Sequence, residues 1–274
     1  MKKLIALCVA MVASPTFADG SPWLPEDGST SLSVELSTSS TTDFFRGDDS
    51  VDLGGDLDST FLWFNAQYGY DDVWAFDFRT GYAQREFENN PSDQEDISDT
   101  SLGVSYQFVN EFENENGWPT VSARAGFTIG GDYQTDEIDA IGDGASGLDL
   151  SLLVGKSLTP LIAVSGDLTF RQRDDDVADG IKYQFSGFYT TPIPGVGVQI
   201  SAAGIRTDSD LNLGEAGVGV EQLPQTDRDS DWLILGVNGG FDNGIGVSFA
   251  FANLLSARNV ADGNVGTFSL SYNF

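Results

Sequence analysis

Beyond its first eighteen residues the chain repeats one motif, a run of about ten residues in which apolar side chains alternate with small or polar ones. The last nine residues show it plainly: Phe268, Leu270, Tyr272 and Phe274 alternate with Thr267, Ser269, Ser271 and Asn273. Successive side chains of a strand point to opposite faces, so each run has one greasy and one wet face. No stretch after the first eighteen residues approaches the roughly 20 apolar residues that a membrane-spanning helix requires. If this chain crosses a membrane, it does so with strands.

The alternation predicts strands near 29–39, 58–70, 73–86, 99–112, 119–131, 146–157, 161–173, 180–191, 195–206, 230–241, 244–255 and 264–274. Their connectors alternate in length. Tyr70-Asp71-Asp72, Glu113 to Pro119, Leu158-Thr159-Pro160, Pro192-Ile193-Pro194 and Asp242-Asn243 are short, while 40–57, 87–98, 132–145, 174–179, 207–229 and 256–263 are longer and polar. An even strand count with short turns at one end and long loops at the other predicts a transmembrane antiparallel up-and-down β-barrel of about 12 strands, short turns facing the periplasm. A β-sandwich has no reason to keep that order through six hairpins. We expect one barrel domain over 19–274.

The start of the chain reads as a signal peptide over 1–18. Lys2 and Lys3 precede an apolar run from Leu4 to Ala13, and Thr16 and Ala18 suit cleavage after Ala18. Leu7 before Cys8 argues against a lipoprotein. Cleavage there removes Cys8, Met1 and Met11, leaving a mature chain without cysteine, methionine or histidine. Taking Lys2 and Lys3 from the 13 basic residues leaves 11 against 42 acidic ones, a formal charge of −31. Nucleic acid is thereby excluded as a partner. With 12% aromatics and 32 glycines the chain is no disordered acidic tail.

Without histidine, neither the Ser-His pair of an outer-membrane phospholipase nor the His-carboxylate site of an omptin-type protease can be built. No enzyme, cofactor or imidazole-ligated metal is expected. Carboxylates crowd the long loops instead: Asp48, Asp49, Asp52 and Asp56 in the first, Asp93, Glu95 and Asp96 in the second. Others lie between Asp132 and Asp143, at Asp174 to Asp179, and from Asp208 to Asp229. Two of these clusters, 132–143 and 174–179, invite calcium, but neither has EF-hand spacing, and solvation or divalent bridging to the anionic outer leaflet explains them as well.

Parity assigns the faces. In 161–173, Ile162, Val164, Gly166, Leu168 and Phe170 should face lipid and Ser165, Asp167, Thr169, Arg171 and Arg173 the lumen; in 73–86, Trp74, Phe76, Phe78, Thr80 and Tyr82 face lipid and Asp77, Arg79 and Arg85 the lumen. The same reading turns Arg124, Lys182, Gln107 and Glu35 inward. The expected channel lining is therefore Asp77, Arg79, Arg85, Arg124, Asp167, Arg171 and Lys182. Asp77, Arg79, Arg124 and Asp167 fall near mid-barrel, where opposed charges either form a selective constriction or pair to pack a narrow barrel shut. Phe61 and Trp63 also point inward, either lining a path for an aromatic solute or packing beneath a loop.

Two resemblances add to this. The strand ending in Phe268, Leu270, Tyr272 and Phe274 resembles the C-terminal signal read by the barrel-assembly machinery. Trp23 to Gly28, Asp43-Phe44-Phe45, Leu53-Gly54-Gly55 and Asn65 to Tyr70 resemble the outer-membrane barrel transporter family named for the meta-pathway of phenol degradation. That likeness implies passive uptake of a small organic or aromatic solute across the outer membrane of a Gram-negative bacterium, by a monomer set in lipid and lipopolysaccharide. It supplies no binding residues. The rival readings are a closed structural or surface-interaction barrel and an enzyme of unfamiliar type.

Overall fold

The computed structural model describes residues 20–89 and 93–274, so the leader read over 1–18 lies outside the described residues. Fourteen strands follow: β1 Thr30–Arg46, β2 Asp49–Gly69, β3 Trp74–Phe87, β4 Gln94–Ile97, β5 Thr100–Val109, β6 Thr120–Ile129, β7 Gly147–Thr159, β8 Ile162–Arg173, β9 Asp179–Thr190, β10 Val196–Asp208, β11 Asp229–Gly240, β12 Ile245–Arg258, β13 Ala261–Asp262 and β14 Val265–Asn273. Twelve of them form a closed antiparallel wall in which each pairs with its chain neighbour and β14 pairs back onto β1. The short β4 and β13 add rungs to β3 and β1. Following paired residues once round the wall returns to β1 about 14 residues further along, a stagger that tilts twelve strands by about 40°.

The usual distribution of side chains is inverted. Leu150, Leu168 and Phe249 are more than half exposed on the outside, whereas Glu35, Ser122 and Thr169 are fully buried inside. The alternation of burial along β6 and β8 agrees with the faces assigned there, and on β3 the ion pairs of Asp77 and Arg79 turn both inward. On the lipid face, cross-strand aromatics brace neighbouring strands, with Phe249 and Phe268 4.9 Å apart and Trp74 and Tyr106 4.6 Å apart. Phe108, Phe112 and Trp118 cluster around the short turn after β5, where an interfacial girdle belongs.

Two connectors differ from expectation. The segment 40–57 is no loop: β1 and β2 continue as a hairpin closed by Gly47 and Asp48, with Gly47 at φ 63°, and Phe44 pairs Val51. Its residues are polar because it stands beyond the lipid, where both faces meet water or protein and the greasy half of the alternation disappears. Likewise β4 turns part of 87–98 into strand. Asp175 and Asp176, both at positive φ, belong to the tight turn between β8 and β9.

Leu168→Arg puts a guanidinium into hydrocarbon and is expected to cost about 2–4 kcal/mol, whereas Ser165→Arg on the inner face should leave insertion intact. Heat-modifiable gel mobility compares them, and equal losses contradict the face assignment. Phe274→Ser keeps the backbone bonds that Phe274 exchanges with Thr30, at 2.9 and 2.8 Å. A large fall in inserted protein from this change indicates recognition of the terminal aromatic, because the ladder is retained; parental insertion removes that role.

Candidate functional site

The interior is built in three storeys. At the periplasmic end the residues before β1 turn into the barrel. Gly28 donates its N–H to Gly69 of β2 at 2.9 Å, and the chain then crosses to the far wall. There the Pro22 carbonyl accepts hydrogen bonds from Gln107 of β5 (3.0 Å) and Ser122 of β6 (2.7 Å). Trp23 meets Phe188 of β9 edge-on, with ring centroids 6.3 Å apart. In wall order β2 and β9 stand opposite one another, so the segment spans the lumen. It seats where β7 has no side chain: a Cβ on Gly155 would stand 2.6 Å from both Pro22 and the Trp23 ring. The indole N–H donates to Glu111 at 3.0 Å, and the same carboxylate accepts the Ser157 N–H and pairs with Lys156 at 3.2 Å.

The middle storey holds most of the expected lining. Arg124 lies against the wall, where its guanidinium crosses the face of β5 to make a two-point bond with Asp77 of β3 at 2.9 and 2.6 Å and reaches Ser101 at 3.2 Å. The crossing exists because residue 103 is glycine; a Cβ there would collide with the guanidinium. Arg79 faces Glu35 of β1 at 3.6 Å and caps the Trp63 ring at 4.2 Å. Trp63 in turn stacks on Phe61, with centroids 5.7 Å apart and planes 6° from parallel, and Arg85 lies 5.9 Å from the Phe61 ring. Asp77, Arg79 and Arg124 are thereby joined along β3 to β6, whereas Asp167, Arg171 and Lys182 stand further round the wall on β8 and β9.

At the outer end, residues 130–146 fold inward between β6 and β7. Arg85 donates to the Ala140 carbonyl at 2.5 Å and to Ser59 at 2.9 Å, and Asp143 pairs with both Arg171 and Arg228. Tyr133 binds Asp99 at 2.5 Å and receives the Gly144 N–H at 2.8 Å; burial, then the Asp99 charge, pushes its phenol well above the ordinary range. Over this loop lies 209–228, whose Leu213 and Leu223 form a small core with Phe44 and touch Ile138. Burial presses the Arg228 guanidinium down to about 10, against the pull of Tyr133 and Asp99.

Sequence reasoning turned Glu35 inward but did not pair it with Arg79, gave no inward role to Asp143, Asp149 or Glu111, and missed the inward turn of 20–28. Parity fixes which face a residue takes and not which distant strand it reaches. The Gly155 gap, facing a Pro-Trp pair more than a hundred residues away, carries no local signal. Among the described residues no group of three carboxylates converges as a metal site.

No family model and no curated protein matches the chain. Solved structures do. The COG4313 outer membrane channel from Pseudomonas putida F1 superposes with a TM-score of 0.75 at 17% identity, over 94% of this chain and 99% of that one. The NanC porin gives 0.53 at 8%, over 88% and 98%. The translocator domain of the autotransporter NalP from Neisseria meningitidis gives 0.53 at 11%, over 91% and 90%. The chain has the closed twelve-stranded barrel fold of these outer-membrane proteins. At these identities the likeness fixes the fold alone, and the neighbours include a translocator domain beside channels, so function has to come from the interior.

If the segment 20–28 is seated by Trp23 and the Gly155 gap, Trp23→Ala should raise open-channel conductance in planar bilayers at least twofold, and Gly155→Leu, which fills the gap, should do the same. Parental conductance in both would show that this segment does not limit passage.

Proposed function

We propose that the protein is a passive channel for small organic solutes whose lumen is gated at the periplasmic end by residues 20–28. The observation that carries this is the middle storey. The wall turns Arg79, Arg85, Arg124, Arg171, Arg173 and Lys182 inward with Glu35, Asp77, Asp149 and Asp167, and Asp143 reaches in to Arg171, which leaves one cation in excess inside a chain whose formal charge is −29. The Phe61–Trp63 stack lies between Arg79 and Arg85, with the Arg79 guanidinium covering the buried Trp63 ring. Planar solutes bearing a carboxylate suit such a wall. The solute class agrees with the likeness to the transporter family of the phenol meta-pathway. In this reading the chain works as a monomer in lipid and lipopolysaccharide, is delivered by the barrel-assembly machinery through its terminal strand, and serves passage and not catalysis.

The closed-barrel reading also has an observation in its favour, because loops cover the outer end and 20–28 crosses the periplasmic one. Swelling of proteoliposomes in benzoate, compared with a neutral sugar of similar size, separates the two: faster benzoate entry in the Trp23→Ala protein supports the channel, and no entry of either solute supports a closed barrel.

Arg79 is a quarter exposed while Arg124 is pinned to the wall at 4%. Arg79→Gln should therefore move the reversal potential toward cations, and the shift should persist in high salt, since the acidic loops are screened beyond about 8 Å at physiological ionic strength. Arg124→Gln strands Asp77 and should cost stability, by about 3–5 kcal/mol if the pair behaves as fully buried, with a smaller effect on selectivity. An unchanged reversal potential in open Arg79→Gln channels removes Arg79 from the conducting path.

A further inference from the structure

The outer wall carries two apolar depressions, and they differ in one respect. The first is floored by Ala123 and Ala125 between Trp74, Tyr106 and Leu152; the one charged residue beside it, Arg124, turns inward to Asp77. The second, about 650 Å³, lies where β8, β9 and β10 place Gly166, Gly187 and Ala202 on the lipid face, flanked by Val164 and Phe185. At its edge stands Lys156, whose neighbour Gly155 packs against Trp23 inside, so the lysine projects outward. It is three residues from the end of β7 at Thr159, and Gly187 is three from the end of β9 at Thr190, which sets the depression in the periplasmic half of the wall.

We propose that this depression is a phospholipid site of the periplasmic leaflet: one acyl chain lies over Gly187 between Val164 and Ile200, and the phosphate sits on Lys156. The surroundings of the groove in the membrane are lipid, and an ammonium at its periplasmic side complements a phosphodiester. Lys156 has the capacity for it. Its ammonium carries three donors, and the Glu111 carboxylate that it meets at 3.2 Å is also served by Trp23 and by the Ser157 N–H. Gly166 is covered by the Phe185 ring, 3.1 Å from an added Cβ, but at Gly187 the nearest atom to an added Cβ is the Ile200 methyl at 3.7 Å, so there the space is open to a chain.

Native mass spectrometry of the full barrel, delipidated and then given palmitoyl-oleoyl phosphatidylglycerol, tests this against the matching diacylglycerol and inorganic phosphate. One phosphatidylglycerol per barrel should persist at energies that strip diacylglycerol, and phosphate alone should not bind. Lys156→Gln should weaken retention about tenfold, the size of one charge-assisted hydrogen bond. Gly187→Leu, which fills the groove and leaves every ion pair in place, should weaken it similarly, while Ala123→Leu in the other depression should not. Folding of each variant is checked by heat-modifiable mobility, and if Lys156→Gln does not insert, Gly187→Leu decides alone. Parental retention in Gly187→Leu, equal loss in Ala123→Leu, or equal retention of diacylglycerol overturns the site.

Discussion

An amide exposed to hydrocarbon finds no water to bond, so a sheet can cross a bilayer only if it has no edge. The seam between β1 and β14, running from Ser31 against Asn273 to Thr38 against Gly266 and finished by Phe274 on Thr30, is what removes the edge here. Each other feature of the wall follows from that closure. Residues at either end of the sequence must meet in register, and one face of every strand is given to lipid. The other face is enclosed, which is why serine, threonine, glutamine and arginine are buried beside the alanines and a few larger apolar residues, while leucine and phenylalanine dominate the exposed set.

Enclosure sets terms for the charges that remain. A guanidinium turned into a narrow lumen loses much of its water, and leaving it unpaired costs several kcal/mol. The wall answers with pairs that reach across strands: Arg124 to Asp77 over Gly103, Arg173 to Asp149 at 3.1 Å, Arg79 to Glu35. Two of these cations are nearly buried against the wall, whereas Arg79 keeps a quarter of its surface open and lies over an aromatic ring. Charges of one type on one surface are thus divided by their partners into those that hold the barrel together and those left facing whatever occupies it.

The barrel was legible because its rule is local. A period of two and alternating connector lengths survive in any strand that touches lipid, so the strand count and the faces of Leu168 and Thr169 could be read directly. Legibility ended where lipid ended. The hairpin from Ser39 to Leu57 has water or protein on both sides, so its polar residues imitate a loop. Ion pairs were illegible for a related reason: Asp143 reaching Arg171 and Arg228, or Glu111 receiving Trp23, joins positions tens of residues apart, and nothing in the local alternation distinguishes a paired carboxylate from a solvated one.

The two ends of the lumen are closed by unlike means, and the difference bears on which of them opens. The outer loops are tied by Asp143 to two arginines, by Arg85 to Ala140, and by the apolar contacts of Phe44, Leu213 and Leu223. Lifting them exposes buried charge as well as hydrocarbon. The bonds of Pro22 to Gln107 and Ser122 are neutral hydrogen bonds of about 0.5–1.5 kcal/mol each, and that of Trp23 to the Glu111 carboxylate is of about 1.5–3 kcal/mol. On leaving, they return a carbonyl and an indole to water. The Glu111 carboxylate keeps Lys156 and the Ser157 amide when the indole departs, so withdrawal leaves no unpaired charge behind it. A segment held on those terms across a cation-lined barrel is suited to yield to a solute, which is the physical ground for preferring a gated passage over a sealed wall.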